Sequence, residues 1–306
     1  MTGGGLTKAQ ELARASGLGG SDAAAAIGIH PYRTPVDVWM EKTGRAESAD
    51  LSDNQAVHFG NVLEDIVAKE YQQRTGRRVA RVNKTLYHLD DHCMLAHIDR
   101  RIVSDRKRLL ECKTAGPWTT GRWGAEGSDD VPDEYLVQVS HYMAVTGATM
   151  ADIAVLIAGQ DFRIYHIERD EALIKTLVER VRSFWYDNVI ADVAPDPTNA
   201  HDIAQLYPHN DGGALLADAD SEATIIELKT IKESIKYLAE QKEALENKIK
   251  RALGNNAVLV NEENKPLATW NNQKSRRVDV KMLREDLPEI AENYTKSSDS
   301  RVLRIK

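Results

Sequence analysis

Residues 97–117 read HIDRRIVSDRKRLLECKTAGP. Two apolar runs flank a turn made almost entirely of charged residues, which is the pattern of a β-hairpin. Alternate side chains of a strand share a face, so Glu111 and Lys113 point one way. Cys112 points the other way, towards the layer behind the sheet. Asp99 lies on the preceding strand and comes beside Glu111 if the chain turns through SDRKR. Two carboxylates so placed can share Mg2+, a hard ion that takes oxygen ligands, or Mn2+ in its stead. The backbone carbonyl of Cys112 is a natural further ligand. Lys113 then positions an attacking water and neutralises charge on a phosphorane-like transition state. On spacing alone, a salt-bridged surface hairpin explains the same residues, because acids and bases this common fall into such patterns by chance.

Working outward, residues 58–76 (HFGNVLEDIVAKEYQQRTG) carry Phe59, Val62, Leu63, Ile66, Val67 and Tyr71 at helical spacing, with Gly76 as a stop. Glu64 lies at the margin of that stripe, either as another metal ligand or as an ordinary boundary glutamate. A second helix runs between Pro132 and Gly147. Its Gln138 and Tyr142 are four apart and share a face, either towards the metal site or on a plain helix surface. Near the start, Arg14 and Ser21 flank an LGG turn. An arginine, a hydroxyl and glycine N–H groups make a phosphate cradle, whereas the plain reading is a helix start capped by Ser21 or Asp22. His97 reads as a strand histidine with a structural hydrogen bond, or as a phosphate contact.

The 306 residues carry a net charge of −7, yet residues 71–125 hold twelve Lys/Arg against five Asp/Glu, a local excess of seven. Such a field attracts a polyanion, with Arg106, Lys107 and Arg108 of the charged turn as DNA contacts, unless these are simply solvated. The two cysteines, Cys93 and Cys112, are too few for a disulfide framework, a four-cysteine zinc site or a cysteine-ligated iron–sulfur cluster. The chain lacks a signal-peptide pattern and an eighteen-residue apolar run, so the expectation is a cytoplasmic protein with no membrane span. The element order is helices, strands, helix, strands, helix. It predicts an α/β fold of the α+β type, a central mixed sheet flanked by helices. Three segments follow: a core over 1–200, a linker or irregular crossing over 201–220, and a long helix with a basic tail over 221–306. Ile231, Ile235, Leu238, Leu245, Ile249 and Leu253 form an apolar stripe on that helix, read as a packing or subunit face or as a dock for a partner.

In order along residues 10–190, GLGGSDAAAAIG…PYRTPVDVWMEKTGR, HFGNVLEDIVAKEYQQRTG, HIDRRIV…LLECKT and YLVQVSHYMAVTGA resemble the YqaJ-type viral recombinase family. That family includes the bacteriophage lambda exonuclease and falls in the PD-(D/E)xK nuclease superfamily. The resemblance implies a Mg2+-dependent exonuclease that digests one strand of duplex DNA from its 5′ end and leaves 3′ overhangs. A single-strand annealing recombinase is the implied partner, and a homotrimeric ring the implied assembly. Carried over by position, Asp99, Glu111 and Lys113 fill the signature, Glu64 is the added helix carboxylate, and Gln138 and Tyr142 match a QxxxY element. Arg14 and Ser21 match the pair that contacts the 5′-phosphate. Arg100 departs from the family, which has a glycine there. An endonuclease with the same metal core, and an inactive DNA-end-binding module, are the alternatives.

Overall fold

The computed structural model describes residues 13–47, 53–297 and 299–306. Two short helices come first, α1 (Gly20–Ala26) and α2 (Pro35–Lys42). The cap of α1 differs from expectation. Gly19 is the N-cap, and Asp22 accepts its backbone N–H from three residues inside the helix, at 3.4 Å. Tertiary contacts explain this: Asp22 is buried and paired with Lys42 at 2.8 Å and Arg33 at 3.0 Å. Burial alone would raise its pKa, but the two cations hold the carboxyl far below the usual range.

The long helix α3 (Gln55–Thr75) ends on Gly76, whose φ of 68° is a left-handed conformation that glycine adopts without strain. A five-stranded sheet follows in the order β1 (Val79–Arg81), β4 (Arg100–Ile102), β5 (Arg108–Ala115), β6 (Met150–Ile157) and β7 (Asp161–Glu168). β2 (Leu86–Tyr87) and β3 (Leu95–Ala96) pair separately. Only β5 and β6 are parallel, and every other pair in the main sheet is antiparallel. The mixed sheet is therefore as predicted. Helix α4 (Asp133–Thr146), bounded by Pro132 and the left-handed Gly147, makes the crossover that two parallel neighbours require. Helix α5 (Glu171–Ser183) runs on into a π-helical stretch, Phe184–Ile190.

Side-chain alternation splits the core in two. Leu109, Ile153, Val155 and Tyr165 face the larger cluster with α1, α4 and α5. Leu110, Ala154, Ile164 and the half-buried Cys112 face a smaller cluster with Val67 and Tyr71 of α3. Much of the apolar stripe expected on α3 stays outside that cluster, with Phe59, Val62 and Ile66 51%, 52% and 54% exposed. The amino-terminal half of the helix has reached the carboxyl ends of β5 and β6. Phe59 and Leu63 there border a cleft of about 420 Å³ with Thr114, Gly116 and Gly159.

The chain divides into Met1–Leu206 and Tyr207–Lys306. The first unit reaches into the segment read as a linker, because α6 (Ala200–Leu206) is tied down. Its buried Asp202 accepts from Thr34 at 2.7 Å and from Thr198 at 2.8 Å. The second unit holds α7 (Ala219–Leu253), a hairpin of β8 (Val258–Val260) and β9 (Pro266–Thr269), and short helices α8 (Val280–Asp286) and α9 (Pro288–Asn293). Among the described residues, no helix is long and apolar enough to cross a membrane.

His141 of α4 is wholly buried and donates from Nε2 to the Leu95 carbonyl at 3.0 Å, which ties the helix to β3. Burial outweighs that bond and pushes its pKa down to about 4. The folded state thus resists a proton that the unfolded chain accepts below about 6.5. The stability contributed by this group is full at pH 7 and falls as pH drops towards 4. The expected loss between pH 7 and 5 is about 2 kcal/mol. Urea unfolding across that range should show this slope in the wild type, and His141→Gln, which keeps a donor but does not titrate, should lack it.

Candidate active site

The hairpin brings the acids together. Arg100 pairs with Leu110 across β4 and β5, so Asp99, in the bend just before β4, falls opposite the Glu111–Cys112 step. Its Oδ2 accepts the Cys112 backbone N–H at 2.9 Å. Glu111 is buried and points towards α4. Its Oε1 accepts from Lys113 Nζ at 2.7 Å and from Gln138 Nε2 at 2.7 Å. Gln138 is the hinge of this cluster: its Oε1 accepts from Lys113 at 3.0 Å, and its Nε2 also donates to Tyr142 Oη at 2.8 Å. Gln138 and Tyr142 therefore face the acids and are themselves buried.

The electrostatics follow from crowding. Burial and the neighbouring Glu111 push the Asp99 carboxyl well above its usual range. Burial alone would discharge Lys113, but Glu111 and Asp99 more than offset this and keep its ammonium charged beyond the normal lysine range. The ammonium also sits 4.8 Å from the centre of the Tyr135 ring. Tyr135 was not singled out from the sequence, although its place three residues before Gln138 on one helix face was a readable signal.

Glu64 is close enough for its charge to act on Asp99, yet its Oε1 is paired with Arg100 at 2.5 Å. Arg100 is itself buried, and its second nitrogen holds Asp65 at 2.5 Å. The residue that departs from the family glycine is thus a clamp between β4 and α3. Among the described residues, no three His, Cys, Asp or Glu side chains converge into a ready metal cage. Two observations nonetheless suit a divalent cation here. Glu111 Oε2 is buried without a hydrogen-bond partner, and the adjacent Asp99 is strained by like charge. Hard carboxylate oxygens are the donors Mg2+ or Mn2+ prefers. Asp99, Glu111 and the Cys112 carbonyl fit that role, with Glu64 in reserve behind Arg100.

The arginine–serine pair is also assembled. Arg14 donates to Ser21 Oγ at 3.2 Å, and the backbone carbonyl of Arg14 accepts from the buried Lys42 at 2.6 Å. Arg14 Nε is buried without a hydrogen-bond partner. Gly20 lets this region approach the acids, because a Cβ there would lie 2.5 Å from Tyr142 Cε1 and 3.0 Å from Gln138 Cγ. Sequence reasoning missed Lys42, Asp22 and Gly20 as the supports of this corner.

The basic residues of the charged turn separate. Arg106 and Lys107 are exposed, in the turn that leads into β5. Arg108, expected at the DNA, instead turns to the α3 face and holds the buried Asp152 at 2.7 Å. Asp152 also accepts from Tyr71 at 2.5 Å and Arg77 at 3.2 Å and contacts His166 at 2.7 Å. His97 bonds Thr85 Oγ1 at 2.8 Å, which is its structural reading.

The family model for the YqaJ-like viral recombinase domain matches residues 11–149. The chain is 34% identical over 304 residues to the uncharacterised protein YqaJ of Bacillus subtilis (strain 168), spanning 96% of this chain and 92% of that one. Among solved structures, it is similar to an alkaline exonuclease (LHK-Exo) from Laribacter hongkongensis. That match has a TM-score of 0.50 and 22% identity, over 61% of this chain and 94% of that one, a likeness of fold.

Asp99→Asn tests the crowding directly. The native state holds the Asp99 proton more tightly than the unfolded chain does. Its penalty is therefore absent only well below the unfolded-chain value of about 3.9 and grows as pH rises through it. In chelator at pH 8 the variant is expected to be more stable than wild type by on the order of 1 kcal/mol. Denaturant titrations at pH 3 and 8 check this, and equal differences at both would contradict the crowding.

Proposed function

We propose, on the premise that the chain belongs to the YqaJ-like viral recombinase family, that it is a metal-dependent exonuclease that digests one strand of duplex DNA from its 5′ end. The observation that carries this reading is the centre formed by Asp99, Glu111 and Lys113, with a buried Glu111 oxygen lacking a partner, and with Gly20, the neighbour of the Arg14-bonded Ser21, packed against Gln138 and Tyr142. Asp99, Glu111 and the Cys112 carbonyl would hold Mg2+. Bound there, the ion supplies Lewis-acid activation of water and neutralises phosphate charge.

The chain's own groups supply the rest. Lys113 stays protonated because Glu111 and Asp99 flank it, so it presents a fixed positive charge to the scissile phosphate. Gln138 holds that ammonium by its carbonyl and Glu111 by its amide, which fixes both in one orientation. Tyr142 orients Gln138 in turn. Arg14 and the Ser21 hydroxyl receive the terminal 5′-phosphate, which sets the register of the cut one nucleotide from the end. Exposed Arg106 and Lys107 meet the duplex backbone further away. The resulting 3′ single strand is the substrate of an annealing protein.

Linear duplex with 5′-phosphate ends, incubated with Mg2+, is the test. Wild-type protein is expected to release mononucleotides, while Glu111→Ala and Lys113→Ala lose activity by at least about 100-fold. Arg14→Ala should act on 5′-phosphate and 5′-hydroxyl ends at similar rates, where the wild type prefers the phosphate. Cleavage of covalently closed circles would instead mark an endonuclease, and full activity in Glu111→Ala would sink the site assignment.

A further inference from the structure

The acids around the centre do not share their cations evenly. Glu64 Oε1 is paired with Arg100 at 2.5 Å and faces Arg81 at 3.8 Å. Glu111, by contrast, pairs with Lys113 and keeps one oxygen without a partner. Arg100 is fastened in its place. Its side chain is buried, its Nη1 also donates to the Asp99 carbonyl at 2.7 Å, and its Nη2 pairs with Asp65 at 2.5 Å. One nitrogen therefore joins the carboxylate of Glu64 to the backbone of the acid that heads the centre. A charge-assisted pair out of water is strong, and a guanidinium does not let go by losing its proton. Glu64 comes free only when another cation outcompetes Arg100 for it.

We propose that Arg100 is a positioning residue that withholds Glu64 from the cation site, so that the DNA-free chain takes one divalent cation tightly and a second only once Glu64 is released. This rests on the reading of Asp99, Glu111 and the Cys112 carbonyl as a cation site. Glu64 is near enough for its charge to act on Asp99, so a freed Glu64 is within reach of an ion shared with that acid. Held by Arg100, its charge is already offset, and recruiting it costs a buried ion pair. A glycine in the place of Arg100 has no side chain to impose that cost. The arginine thus sets how many cations the centre holds before substrate arrives. Phosphate oxygens of a bound strand add the ligands that a second cation otherwise draws from Glu64.

Mn2+ titrated into the full chain without DNA, with free ion followed by its solution EPR signal, is the test. The wild type should bind one ion tightly. Arg100→Met keeps the buried stem and leaves Glu64 and Asp65, whose side chains are 21% and 68% exposed, to water. It should bind a second ion about ten-fold or more tighter than the wild type does, with the broadened spectrum of two neighbouring ions. A merely structural role predicts the opposite, a loosened centre and weaker binding. The double variant Arg100→Met with Glu64→Gln should lose the gain, because the gain belongs to Glu64 and not to the removed positive charge. Glu64→Gln alone, which spares Arg100, should weaken the single ion far less than Glu111→Ala does. Two equally tight ions in the wild type, no gain in Arg100→Met, or a gain that survives in the double variant would overturn the proposal and leave the cation site standing. Equal weakening by Glu64→Gln and Glu111→Ala would overturn it too. Binding that Glu111→Ala does not change would overturn the cation site itself, and the proposal with it.

Discussion

Asp99 and Glu111 are like charges placed side by side where water is scarce, and much of the first unit is arranged around that cost. A buried carboxylate is tolerated only with a cation or with donors that satisfy it. Here Lys113 and Gln138 satisfy one oxygen of Glu111, and the Cys112 N–H satisfies one of Asp99. The remaining strain stays on Asp99 and on the unpartnered Glu111 Oε2. Those two atoms mark where a hard cation gains most.

The same economy recurs away from the centre. Asp22 and Asp152 are both buried and both ringed by cations, Lys42 and Arg33 for one, Arg77 and Arg108 for the other. Arg100 does the reverse, a buried guanidinium satisfied by two acids of α3. These networks draw on the basic window of residues 71–125. Arg74, Arg77, Arg81, Arg100, Arg108, Lys113 and Arg122 all form ion pairs with acids inside the first unit. The local excess of positive charge read from the sequence is real, but much of it is taken up by these ion pairs, of which those of Arg81 and Arg100 tie α3 to the sheet. What remains for a polyanion is carried by fewer side chains, Arg106 and Lys107 among them.

Much of the architecture was legible because period and punctuation are local. Alternation in LLECKT, helical spacing before Gly76, and the Pro132–Gly147 brackets gave the hairpin, α3 and α4 their places. Co-occurrence in one order also raised Asp99, Glu111, Lys113, Gln138 and Tyr142 above chance, since each alone was an ordinary polar residue. Reading failed where a side chain had two partners to choose from. Arg108 looked like part of a solvated turn, yet one residue of strand beyond the turn points it at Asp152. Phe59, Val62 and Ile66 looked like core, yet each is more than half exposed while Val67 and Tyr71 of the same helix are buried.

The sequence by itself determined the element order, the face shared by Glu111 and Lys113, and the apolar stripe on α7, because each follows from the fixed geometry of a strand or helix. Only the tertiary structure decided which charges meet. Asp99 finds Cys112 through the register of β4 on β5, Arg100 finds Glu64 because α3 crosses that strand, and Gly20 admits Tyr142 because it lacks a Cβ. Pairings between distant segments depend on packing distances of a few ångströms, and no pattern within a single segment encodes them.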